Sequence, residues 1–183
     1  MRRLTAFLLL GLANAFDVQV NDGHVLQRLP AGFASFTIDF HPASQGAVWG
    51  ANASILEIDL TSPGLVGVAS ALAPGVLRLG GSEAGANVTY VGFPGVDTPC
   101  PAGYYYCITR SRWDAILAFA AKTGVRLMLD LNLIGPGNST DFDGAGLSNI
   151  GAILSYTAQR EDAPSAVWAW EVGNENQDTL EAA

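Results

Sequence analysis

Near the end of the sequence, Trp168-Ala169-Trp170-Glu171-Val172-Gly173-Asn174-Glu175 sets two carboxyl groups four residues apart in an apolar run. A buried carboxyl is costly unless a partner satisfies it or chemistry uses it. At a strand end, partly shielded from water, Glu175 would have its acid form favoured by desolvation. Such a group can protonate a departing oxygen, the acid role in two-carboxylate cleavage. Asn174 beside it offers an amide to a hydroxyl of a bound molecule. Alone, an Asn-Glu pair is better read as a helix cap or a solvated end. Glu171 lies two steps of strand alternation earlier and points to the same side.

Other polar residues recur where apolar runs stop: Thr37 and Asp39, Arg78 and Ser82, Asp130 and Asn132. Arg78 has two readings, a cation that keeps a neighbouring carboxylate ionised or one half of a structural salt bridge. Glu171 is its expected partner rather than a second catalyst. Asp130 and Asn132 either line a cleft or form interior hydrogen bonds. Trp113 reads as helix core. Trp168 and Trp170 are packing residues or aromatic platforms for a ligand, with packing preferred.

These positions require elements that end together. "ASFTIDF" (Ala34 to Phe40) is rich in β-formers, after a shorter alternating "FDVQV". "TSPGLVGVASALA" carries a helix start, with Thr61 or Ser62 as cap and Pro63 in the first turn. It runs into the short apolar strand of "PGVLRLGGSEAG", after which a long Pro/Gly-containing loop is expected. "TRSRWDAILAFAAKTG" spaces Trp113, Ile116, Leu117, Phe119 and Ala120 as a helix, capped by Thr109 or Ser111 and stopped at Gly124. "VRLMLDLNL" reads as a strand covered on both faces. A helix over roughly 147–159 and the strand "SAVWAWEV" complete the alternation. Alternating strands and helices imply parallel βα units, with chemistry at the C-terminal strand ends. A doubly wound sheet would usually carry a glycine fingerprint after its first strand, and "LRLGGSEAG" lacks it. The expected fold is α/β, a partial (β/α)8 TIM barrel of about four βα units, since a whole barrel takes about 250 residues.

A chain of 183 residues with 49% hydrophobic and 14% charged residues suits one well-buried domain. Its net charge of -8, without a basic cluster beyond the N-terminus, excludes nucleic acid as an expected partner. "MRRLTAFLLLGLANAF" has a basic start, a short apolar middle and a small-x-small site, so residues 1–15 read as a signal peptide and 16–183 as the barrel portion. No later run is long enough to cross a bilayer, although peripheral membrane association stays open. Sequons at Asn52, Asn87 and Asn138 fit secretion. Cys100 and Cys107 bracket a Pro/Gly-rich loop and are expected to form a disulfide in an oxidising compartment. With His24 and His41 the only histidines, no metal site and no cofactor are expected.

"WEVGNE" resembles the acid/base strand of retaining (β/α)-barrel glycosidases. Together with "ASFTIDF", "ASILEIDLTSPGLVGVASALAP", "LRLGGSEAGANVTY", "SRWDAILAFAAKTG" and "VRLMLDLN", it is similar to the heparanase-like β-glucuronidases, glycoside hydrolase family 79. The resemblance implies that Glu175 is the general acid/base, and that Asn174, Asp39 and Ser82 contact the sugar. It also implies a nucleophile on a later strand, so this polypeptide resembles the N-terminal half of the barrel and is expected to be inactive alone, as a fragment or truncated product. Asp39 and Glu171 are poor substitutes for that nucleophile. The implied substrate is a glucuronide, and the acidic charge favours terminal residues or small conjugates over a highly sulfated polyanion. The expected location is extracellular or in the cell wall, with lysosome, vacuole or membrane surface as alternatives. Two other readings stand beside this one: a secreted carbohydrate-binding module without turnover, and a βα protein with no sugar role.

Overall fold

The structure is a computed structural model in which residues 27–41, 52–96, 99–104, 106–132 and 144–174 are described. The signal peptide at residues 1–15, the strand expected at 16–20, Asn138 and Glu175 lie outside the described residues. In chain order the elements are β1 (Phe36–Ile38), α1 (Pro63–Leu72), β2 (Val76–Leu79), α2 (Ser82–Ala86), β3 (Val88–Val91), β4 (Tyr106–Thr109), α3 (Arg110–Thr123), β5 (Arg126–Leu131), α4 (Gly144–Ala158), α5 (Ala163–Ala166) and β6 (Val167–Val172).

Four strands form one parallel sheet in the order β1-β2-β5-β6. Each successive strand is added on the same side, which a doubly wound sheet with its reversal of strand order would not do. Alternation sends Leu77, Leu79, Leu127, Leu129 and Leu131 into the buried core. The opposite face carries Thr37, Arg78, Met128 and Ala169 in one register row, then Asp130 beside Glu171. The register shifts between Leu127 and Met128, which pair with Val167 and Ala169, so Trp168 is the extra residue of a bulge. Trp170 therefore faces α3, its ring 6.0 Å from that of Trp113. Trp168 is 54% exposed and lies against the Arg126 guanidinium, 5.5 Å from its ring centre. That contact is at the start of β5, away from the strand ends where the polar residues gather.

Local chemistry accounts for the helices. The Thr109 hydroxyl accepts the Arg112 N–H at 3.1 Å, and Gly124 ends α3 in the left-handed region at φ 77°. Ser62 occupies the cap position of α1 but makes no side-chain cap bond, because the start is set by Pro63. Thr61 instead donates its hydroxyl to Asp59 at 2.6 Å. From α3, Arg112 donates to the carbonyls of Ile55 and Ile58, both at 2.7 Å, and so ties the β1–α1 connection to the core.

The expected long loop after β2 is not a loop. It holds α2, β3 and β4, with β3 and β4 forming a second, two-stranded parallel sheet. Four-residue strands paired across an intervening segment show too little alternation to be read from one sequence. Cys100 and Cys107 are bonded within this connection, with Cα atoms 5.9 Å apart.

Trp113 is fully enclosed, and its indole N–H donates to the Thr157 hydroxyl of α4 at 2.9 Å. That hydroxyl in turn donates to the Ile153 carbonyl. Replacing Thr157 with isosteric valine leaves the buried indole N–H without an acceptor. The expected cost is about 1–3 kcal/mol of stability, read as a lower urea midpoint with an unchanged slope.

Candidate active site

The polar residues of the sheet converge at the C-terminal ends of β1, β2, β5 and β6. Their centre is Arg78, which projects from β2 toward β6. Its Nε donates to Glu171 Oε2 at 2.6 Å and its Nη2 to Glu171 Oε1 at 2.8 Å. This is a bidentate, charge-assisted pair with both side chains about three-quarters buried. The hydrogen bonds to Glu171 hold the guanidinium even more firmly protonated than usual. Nη2 also donates to the amide oxygen of Asn174 at 2.9 Å. With its oxygen held this way, Asn174 has its two amide hydrogens left to donate elsewhere.

Asp39 follows β1 directly. Its Oδ1 accepts the backbone N–H groups of Phe40 at 2.5 Å and His41 at 3.2 Å, and its carbonyl accepts the Ile55 N–H at 2.8 Å. The carboxylate rests against Gly81, whose φ is 131°; a Cβ there would stand 3.0 Å from Asp39 Oδ2. At Gly80 an added Cβ would meet Arg78 Cζ at 2.8 Å and Asp130 Cβ at 3.0 Å. The glycine pair therefore lets three charged side chains crowd one turn. Ser82, exposed, opens α2 immediately after it. Asn174 packs against that short helix, its backbone 3.5 Å from where a Gly85 Cβ would be. Asp39 and Arg78 interact across space, since Asp39 favours the charged guanidinium, but they share no direct bond among those described.

Asp130 is completely enclosed, and among the described residues neither of its carboxyl oxygens has a hydrogen-bond partner. Its nearest cation is Arg78 Nη2, 3.9 Å from Oδ2. Burial, reinforced by the Glu171 charge, pushes its pKa up to about 7. Asn132 is an interior hydrogen-bonding residue: its amide donates to the Val88 carbonyl at 2.7 Å and its backbone N–H to the Tyr90 hydroxyl at 3.3 Å.

The pairing of His41 with Glu83, Nδ1 to Oε1 at 2.9 Å, was not foreseen from the sequence. His41 lies two residues past Asp39 and Glu83 one past Ser82, so the strand-end rule that singled out their neighbours contains the signal for both. Asn52 is exposed at φ 56° in the β1–α1 connection. Asn87 is half-buried at the C-terminus of α2, where its N–H donates to the Glu83 carbonyl.

The Arg78–Glu171 pair is tested by a double-mutant cycle. Arg78→Met and Glu171→Gln are each expected to cost about 2 kcal/mol, because either leaves a shielded charge without its partner. The double variant should cost less than the sum, with coupling of at least about 1 kcal/mol by urea denaturation. Strict additivity would contradict this geometry.

Residues 15–180 match the family model described as glycosyl hydrolase family 79, N-terminal domain. The chain is also 28% identical over 161 residues to heparanase-like protein 3 of Arabidopsis thaliana, an alignment covering 78% of this chain and 29% of that protein. The chain thus spans less than a third of the curated relative it matches. The family match runs through every strand of the four-stranded sheet and the rim residues just described. The chain belongs to glycosyl hydrolase family 79.

Proposed function

We propose that this chain is the N-terminal portion of the catalytic barrel of a secreted glycoside hydrolase that cleaves β-glucuronides of glycans or conjugates by retaining acid/base chemistry. The single observation that carries the proposal is the meeting of Arg78, Glu171 and Asn174 where parallel strands end, in a chain of family 79. Strand order β1-β2-β5-β6, all parallel and added one way, supports the first four units of a (β/α)8 barrel. Glu175, following Asn174 in sequence, is the proposed general acid/base. Asn174, Asp39 and Ser82 are the proposed sugar contacts, with the Asn174 amide donating to a ring hydroxyl. Arg78 and Glu171 support them without touching the substrate.

A retaining pair needs a second carboxylate about 5–5.5 Å from the first. Among the described residues, Glu171 is tied to Arg78, Asp39 accepts backbone N–H groups, and Asp130 is sealed from solvent. None is proposed as nucleophile. Because the chain spans 29% of its relative, that group is sought outside these 183 residues. The same facts favour a second reading, in which these residues bind a carbohydrate without turning it over. The extracellular or cell-wall location is proposed from the N-terminal leader and supported by the Cys100–Cys107 bond. Among the described residues no helix is long and apolar enough to cross a membrane.

The test uses 4-nitrophenyl β-glucuronide and a polypeptide extended through the remaining length of the relative. Glu175→Gln should lower kcat by at least about a hundredfold while leaving binding of methyl β-glucuronide within about threefold. Unchanged turnover in that variant would remove Glu175 from the mechanism. Binding without turnover in the unsubstituted protein would select the second reading.

A further inference from the structure

A carboxyl group with no hydrogen bond in a fully enclosed position is expensive, and Asp130 sits in that position at the centre of the strand ends. We propose that Asp130 is a positioning residue for the candidate site: while neutral it leaves Arg78 on Asn174, and once ionised it draws the guanidinium away.

The argument rests on donor inventory. Arg78 Nη2 carries two hydrogens, and both are in use, on Glu171 Oε1 at 2.8 Å and on Asn174 Oδ1 at 2.9 Å. Asp130 Oδ2 waits 3.9 Å from the same nitrogen. As a neutral acid, Asp130 is tolerated there. As an anion it is a buried charge without a hydrogen bond, and a charge-assisted bond to Nη2 is the nearest relief. That bond must displace one of the two existing ones. The Glu171 link is an ion pair reinforced by Nε at 2.6 Å, whereas Asn174 contributes a neutral oxygen, so Asn174 is the one released. Its amide then loses the contact that sets its orientation.

The surroundings of Asp130 leave few competing routes. From β2 comes Arg78 and from β6 Glu171, whose charge opposes ionisation. The Gly81 and Gly173 N–H groups, in the turns after those strands, favour the anion without reaching hydrogen-bond geometry. From β3, the Tyr90 hydroxyl reaches the Asp130 carbonyl at 3.4 Å, and burial holds this phenol protonated far above neutrality. Helix α2, packed on β5, brings Glu83, which pairs with His41. Asp39, just after β1, acts on Arg78. With the carboxyl's pKa at about 7, the exchange falls within the neutral range. The sign is that Asn174 is held at acidic pH and released as pH rises through that value.

Only the binding arm of the test rests on the glucuronide function proposed above. The ¹⁵N-labelled chain is titrated across about two units either side of neutrality, following the Asn174 side-chain amide resonances, identified by their loss in Asn174→Asp. A single transition near pH 7 is expected in the unsubstituted protein and none in Asp130→Asn, which keeps the shape but cannot ionise. His41, paired with Glu83, is present in both proteins, so a transition lost in Asp130→Asn belongs to Asp130. Methyl β-glucuronide affinity should fall about fivefold through the same transition, the worth of one hydrogen bond, and stay level in Asp130→Asn. Amide resonances that do not move in the unsubstituted protein overturn the proposal even if the variant fails to fold, as does a transition that survives Asp130→Asn. A transition without any glucuronide binding supports the positioning role and counts against the glucuronidase function. Binding that is flat with pH, with a motionless amide, does the reverse.

Discussion

The strand ends of this domain are organised by the ion pair between Arg78 and Glu171. It spans from β2 to β6 over the intervening β5, which separates them in the sheet. Its two parallel bonds fix the plane of the guanidinium, and that plane decides where the remaining Nη2 hydrogen points. Asn174 is placed by that hydrogen. A lysine at the same position would offer a point charge without a plane and could not set two acceptors at once.

Around this pair the carboxyl groups differ in environment rather than in kind. Glu171 is neutralised by a fork of hydrogen bonds, Asp39 by backbone N–H groups, and Glu83 by His41. Asp130 has burial and no hydrogen bond among those described, and burial lifts its pKa to about 7. The crowding is sterically admissible because Gly80 and Gly81 supply backbone without side chains where three charged groups meet. A methyl group at Gly80 would overlap the Arg78 guanidinium, and one at Gly81 would press on the Asp39 carboxylate at 3.0 Å from a strained backbone.

The main sheet and its helices were legible in the sequence because their signals are local. The Thr109 cap, the apolar spacing from Trp113 to Ala120 and the stop at Gly124 lie within one helix length. The apolar run of β5 reads as a strand covered on both faces, but only the Leu127, Leu129 and Leu131 face is fully buried, while Arg126 and Met128 on the other are half-buried. Elements β3 and β4 escaped because their evidence is a pairing across an intervening segment, Val88 with Tyr106 through Val91 with Thr109. The bulge at Trp168, which turns Trp170 toward Trp113 and leaves Trp168 exposed, is likewise a property of two strands together.

By itself the sequence determined the order of the main-sheet strands and the helices between them, the family signature of those strands and the residues that end them, since all are short-range patterns of polarity and turn chemistry. It could name Arg78, Glu171 and Asn174 as neighbours in type. Only the tertiary structure decided that one nitrogen of Arg78 serves both of the others, and that Asp130 stands 3.9 Å away with no bond of its own. The physical reason is that charge state depends on distance and solvent exclusion between strands far apart in sequence, and those quantities exist only once the sheet has formed.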